Sequence, residues 1–229
     1  MIQKNDLFDY GTFIYQNSDY FKFSIDSILL AEFVKAKKNQ KILDMCCGNA
    51  SIPLILSTKN GSLQIDAVEI QKEVYELAKK SIEEDGFRNI SLYNCDIKNF
   101  YSTKKYDIVI CNPPFFKIEE KSVLNDNIVK RIARHEVAIT LKEVIEIAKK
   151  NLTDNGKFYT VNRVNRFLET INELQKQKLG IRKICFVYTK DNSPAEFFLV
   201  ESAQNKKDDP KIMSINIKGL KTYKDLFKE

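Results

Sequence analysis

Directly after an apolar run at 106–111 the chain reads Asn112-Pro113-Pro114-Phe115. The side-chain oxygen of Asn112 and the backbone carbonyl of Pro113 are hydrogen-bond acceptors that neighbouring prolines hold rigidly, and Phe115 offers a face on which a flat ring can stack. Two fixed acceptors of this kind stabilise positive charge developing on a donor group. Upstream, Asp44, Glu69 and Asp96 each lie at or just past an apolar run of strand length. A carboxylate at such a point can accept both hydroxyls of a ribose.

The elements that must position these residues follow from the apolar pattern. Strand-length runs occur at 41–45, 64–69, 90–93, 106–111, 157–161, 182–188 and 196–200, with helical periodicity at 52–58, 72–84 and 141–152 between the first five. This alternation predicts βαβ units and a mostly parallel sheet of about seven strands. Only residues 189–195 separate the last two runs, too few for a parallel crossover, so these should form an antiparallel hairpin, preceded by a helix at 163–178. Ser24 reads as the N-cap of a helix at 25–36 with Asp26 in its first turn, and 212–217 reads as a short edge strand. The expected organisation is an N-terminal extension at 1–40 whose helix packs on the ligand site, a core at 41–203 and a tail at 204–229.

The net charge of +6 is spread over many lysines and permits a polyanionic partner without requiring one. Five cysteines without a Cys-x-x-Cys pair, and a single histidine, His135, argue against a zinc site and for reduced thiols. No stretch has the roughly 20 apolar residues of a membrane span, and Met1 leads into Lys4, Asn5 and Asp6 rather than a signal-peptide core. The expected location is cytoplasmic, and nothing in the sequence points to an obligate protein partner.

The sheet with its final hairpin resembles the class I methyltransferase core over residues 41–202. In that class the turn after the first strand reads Asp-x-Gly-x-Gly-x-Gly and approaches S-adenosylmethionine through its backbone. Here Asp44-Met45-Cys46-Cys47-Gly48-Asn49-Ala50 keeps only Gly48, with Cys46 and Ala50 in place of the outer glycines. The resemblance implies that the cofactor is held by Phe23, Asp44, Cys46, Gly48, Asn49, Glu69, Asp96, Ile97 and Asn112, with Glu69 on the ribose and Asp96 on the adenine amine. The tetrapeptide Asn112-Pro113-Pro114-Phe115 resembles the signature of methyltransferases acting on planar amines. The lone pair of such an amine is delocalised, and bonds to the two acceptors favour its tetrahedral form. No general base is needed, because the methylated amine sheds its proton easily.

Three further segments, Phe21-Lys22-Phe23-Ser24-Ile25-Asp26-Ser27-Ile28-Leu29-Leu30, Gly48-Asn49-Ala50-Ser51-Ile52-Pro53-Leu54 and Ala133-Arg134-His135-Glu136, resemble the bacterial tRNA adenine-N6 methyltransferases that modify the adenosine beside the anticodon of a valine tRNA. That resemblance implies a tRNA substrate. The long connection 117–134 carries Lys117, Lys121, Lys130, Arg131 and Arg134, the side chains expected to grip phosphates. His135 serves equally as an RNA contact or as a packed, capping side chain. Two other readings share these features: methylation of a glutamine N5 amide in a protein, and an RNA-binding module without catalysis.

Overall fold

The computed structural model describes residues 2–7, 10–17, 25–113 and 139–228. Its elements run β1 (Ile2–Asp6), β2 (Phe13–Asn17), α1 (Ile25–Phe33), β3 (Lys41–Asp44), α2 (Ser51–Lys59), β4 (Gln64–Glu69), α3 (Lys72–Glu84), β5 (Ile90–Asn94) and β6 (Tyr106–Cys111). After residues 114–138 come α4 (Leu141–Asn151), β7 (Leu152–Arg163), α5 (Phe167–Lys176), β8 (Leu179–Tyr188), β9 (Phe197–Gln204) and β10 (Lys211–Asn216).

One sheet has the order β10-β8-β9-β7-β6-β3-β4-β5. Its strands from β3 to β7 pair in parallel, whereas β9 runs antiparallel to both β7 and β8. The chain winds outward from β3 through β4 to β5, then crosses back to β6 on the other side of β3. That reversal opens a crevice between β3 and β6 at their carboxyl ends, where such sheets bind ligands.

Strand alternation assigns the two faces. Ile42, Ile65, Ile108 and Ile110 pack toward α1, α2 and α3, while Leu43, Val68, Val109 and Cys111 pack toward α4 and α5. Helices on both sides explain why β6 reads Tyr-Asp-Ile-Val-Ile-Cys, apolar nearly throughout. The helix α4 begins with a capping box: Glu143 N–H donates to Thr140 Oγ1, and Thr140 N–H donates to Glu143 Oε2 at 2.8 Å.

The parallel sheet and the antiparallel hairpin agree with the sequence reading, and the edge strand at 212–217 is present as β10, parallel to β8. Several boundaries differ. The strand placed at 157–161 begins at Leu152 and extends to Arg163, because Arg163 still pairs with Phe197 of β9. The helix placed at 163–178 therefore starts only at Phe167, after a short 3-10 turn at 164–166. The helix placed at 25–36 ends at Phe33, and its proposed cap, Ser24, lies outside the described residues.

The sequence reading contained no β1–β2 hairpin. It rests on α3, where Tyr15 N–H donates to Ser81 Oγ at 2.9 Å and Phe13 N–H to Asp85 Oδ2 at 3.1 Å. The C-terminal tail returns to α1: the Phe227 ring meets Phe33 edge-on at 5.3 Å, and Asp225 N–H donates to Glu32 Oε2 at 2.9 Å. Glu32 is buried, and also accepts from Tyr10 Oη at 2.5 Å and Lys59 Nζ at 2.9 Å. One carboxylate thus joins the N-terminal segment, α1, α2 and the tail.

Candidate active site at the carboxyl ends of β3, β4 and β6

Asp44 follows Ile42 and Glu69 follows Ala67 and Ile65 at a two-residue spacing along their strands, and Asn112, the first residue past β6, continues the spacing of Ile108 and Ile110. Alternation therefore turns all three polar side chains to the α1–α2 face of the sheet, in one row at its carboxyl edge. Asp96 stands two residues beyond the end of β5 and extends that row.

Asp44 is fully buried and, among the described residues, neither of its oxygens has a hydrogen-bond partner; the Cys46 amide faces the carboxylate without reaching bonding geometry. Burial, reinforced by the negative Glu69 nearby, pushes its carboxyl up to about 8. Leaving such a group unpaired costs roughly 1–3 kcal/mol, the kind of expense that marks a place for a ligand. Glu69 is also buried, and burial raises its carboxyl. Its oxygens are already engaged: Oε2 accepts from Gly48 N–H at 2.9 Å, and Oε1 from Gln71 N–H at 2.8 Å. Glu69 thus fastens the turn after β3 to the start of α3, a structural task in addition to the ribose contact expected of it. Each oxygen keeps a free lone pair for a hydroxyl.

The turn itself is pinned by Met45 N–H to Ile110 O and Cys47 N–H to Val68 O, both at 3.0 Å. Gly48 and Ala50 both adopt left-handed backbone, with φ of 58° and 65°. A methyl group on Gly48 would meet no atom within 4 Å, so this backbone borders open space. Asn49 Nδ2 is buried without a partner among the described residues. An orphaned carboxylate, an orphaned amide donor and bare backbone on one crevice fit a cofactor with cationic and hydroxyl groups.

Asp96 accepts from Lys98 N–H at 2.9 Å and caps the 3-10 turn 97–99, with Lys98 Nζ 3.5 Å from its other oxygen. Ile97 is buried behind it. Asn94, which the sequence reading left out, donates from Nδ2 to the Glu69 carbonyl at 2.8 Å and so steadies the β4 end. Asn112 donates from Nδ2 to Ser27 Oγ of α1 at 2.8 Å, while its Oδ1 is buried with no partner among the described residues. Ser27 is the other residue missed. It lay within a segment singled out by resemblance, but nothing in its spacing tied it to Asn112.

Among the cysteines, Cys47, Cys111 and Cys185 are buried and Cys46 and Cys95 half-buried, all as free thiols. Cys46 sits against Cys111, whose thiol is pushed up by that hydrogen bond and by burial; burial alone dominates at Cys47. Of the expected site, Asp44, Cys46, Gly48, Asn49, Glu69, Asp96, Ile97, Asn112 and Pro113 stand at this edge of the sheet. Phe23, Pro114, Phe115, Lys117, Lys121, Lys130, Arg131, Arg134 and His135 lie outside the described residues.

A doubly wound sheet with an antiparallel final hairpin, bearing this acidic row, defines a methyltransferase. The chain belongs to the family described as Methyltransferase small domain, which it matches over residues 20–185. It is 30% identical to the tRNA1(Val) (adenine(37)-N6)-methyltransferase of Dyadobacter fermentans, over 65% of this chain and 62% of that protein. Against the protein of the same name from Flavobacterium psychrophilum the identity is 26%, covering 86% of each. Among solved structures, a predicted O-methyltransferase of Agrobacterium tumefaciens superposes with a TM-score of 0.67 at 15% identity, covering 84% of this chain and 88% of that one. TYW2 of P. horikoshii in complex with MeSAdo gives 0.63 at 14% identity, covering 88% and 70%. These likenesses establish the class I fold.

Proposed function

We propose that the protein transfers a methyl group from S-adenosylmethionine to the N6 amine of an adenosine in tRNA, the one beside the anticodon of a valine tRNA. The observation that carries this reading is Asn112 Oδ1, a buried acceptor without a partner at the end of β6, next to the acidic row of β3 and β4. The shared name of the two relatives, tRNA1(Val) (adenine(37)-N6)-methyltransferase, supports the choice of substrate.

In this reading Asp44, Asn49, the Gly48 backbone and Glu69 hold S-adenosylmethionine, with Asp96 at the adenine end. The cofactor supplies an electrophilic methyl group. The protein supplies position: Asn112 Oδ1 and the Pro113 carbonyl accept from the target amine, draw it toward tetrahedral geometry and stabilise its developing positive charge. Phe115 stacks on the base, and Lys117, Lys130, Arg131 and Arg134 hold the phosphates around it. Asp44 and Glu69 would be occupied by the cofactor, and the proton of the methylated amine leaves to solvent.

The test is incubation with labelled S-adenosylmethionine and total bacterial tRNA lacking the modification, followed by mass analysis of nucleosides. N6-methyladenosine confined to one tRNA species supports the reading. Label found only in protein, on a glutamine amide, replaces it with the protein-methylating alternative.

A further inference from the structure

We propose that Ser27 is a positioning residue for Asn112, setting which end of its amide faces the target amine without touching cofactor or substrate. The inference rests on Asn112 being the acceptor for that amine. An asparagine amide has two ends of nearly equal size and opposite hydrogen-bonding sense, and rotation about its last torsion exchanges them readily. With oxygen forward the amine meets an acceptor. With nitrogen forward two donors confront each other and the developing positive charge is opposed.

The structure contains a device that favours the first arrangement. Ser27 Oγ lies 2.8 Å from Asn112 Nδ2 across a sequence separation of 85 residues, with Ser27 buried and Asn112 half-buried. Oδ1 is left buried and unpartnered. Ser27 stands in the first turn of α1, and its own N–H is occupied by Asp26 Oδ1 at 3.1 Å. In this arrangement the Ser27 hydroxyl oxygen is the acceptor and the amide nitrogen of Asn112 the donor. The helix is in turn immobilised through Glu32, which binds Tyr10, Lys59 and Asp225. Strand parity aims Asn112 at α1, where Ser27 Oγ takes the nitrogen end of the amide and leaves the oxygen end unpaired among the described residues.

Four variants of the full chain test this: Ser27→Ala, Ser27→Cys, Ser27→Thr and the double variant Ser27→Ala with Asn112→Ala, against Asn112→Ala alone. The measurements are single-turnover methyl transfer to tRNA and calorimetric binding of S-adenosylmethionine. Ser27→Ala and Ser27→Cys should each slow transfer by about tenfold, the worth of one net hydrogen bond in the buried site, while Ser27→Thr keeps most of the rate. Cofactor Kd should stay within about twofold throughout. The decisive result is the double variant, expected to be no slower than Asn112→Ala, because Ser27 acts only through that amide. Parent rates in Ser27→Ala or Ser27→Cys, or a Ser27 loss that multiplies in full onto Asn112→Ala, overturn the proposal. If Ser27→Ala does not fold, the contrast between Ser27→Cys and Ser27→Thr decides. If Asn112→Ala alone runs at the parent rate, the reading of Asn112 fails first and the role of Ser27 with it.

Discussion

Asp44 occupies the least favourable surroundings of any acidic side chain in the crevice, because burial removes water and among the described residues only the Cys46 amide faces it, short of full bonding geometry. Its carboxyl is raised from 3.8 to about 8, so the folded protein holds this proton more tightly than the unfolded chain. The stability Asp44 contributes is fully present below about pH 4 and is lost as pH rises through about 8. Asp44→Asn, which cannot ionise, escapes that loss. Urea unfolding at a series of pH values should show the variant gaining on the parent from pH 5 to pH 8 by up to about 3 kcal/mol. Midpoints that stay parallel across the range contradict the assignment. The parent's affinity for S-adenosylmethionine should rise over the same range, since a cation beside Asp44 favours its ionised form. Binding by Asp44→Asn should be flat with pH.

At the scale of elements, the strands were legible because short clusters of apolar, largely β-branched residues recur between helical stretches, and those from β3 to β6 came within a residue of their observed ends. The carboxylates of the site were legible for the same reason, since a charged residue closing an apolar run stands out. The β1–β2 hairpin was not. Ile2-Gln3-Lys4-Asn5-Asp6 has a single apolar residue, and the hairpin is stable through its bonds to α3 about 70 positions away. Ser27 was hidden likewise, because its role depends on a partner 85 positions distant. Helix ends shifted where ladder pairing prevailed, as at Arg163. Glu32→Ala strips the acceptor from Tyr10, Lys59 and Asp225 together and should cost about 2–4 kcal/mol of stability. Limited proteolysis should then cut the tail near Tyr223 faster than in the parent. An unchanged denaturation midpoint with an equally protected tail contradicts the view of Glu32 as the anchor.

For the whole molecule, the net charge of +6 complements a polyanion, and no described helix is long and apolar enough to cross a membrane. In the proposed function the basic side chains of 117–134 hold the phosphates near the target base. Replacing Lys130, Arg131 and Arg134 together by alanine should weaken tRNA binding and reduce the slope of log affinity against log salt by about two to three. Cofactor binding should not change. An unaltered salt slope places the phosphate contacts elsewhere on the surface.

The central claim is that Asn112 acts on the target amine in the transition state rather than on the cofactor. It is tested most directly by single-turnover methylation of tRNA by Asn112→Ala, with cofactor and tRNA saturating and cofactor Kd measured in parallel. Losing one preorganised acceptor should slow transfer by on the order of a hundred- to a thousandfold, about 2.7–4 kcal/mol, with Kd for S-adenosylmethionine nearly unchanged. Transfer at the parent rate, or a loss that disappears once cofactor is saturating, contradicts the account.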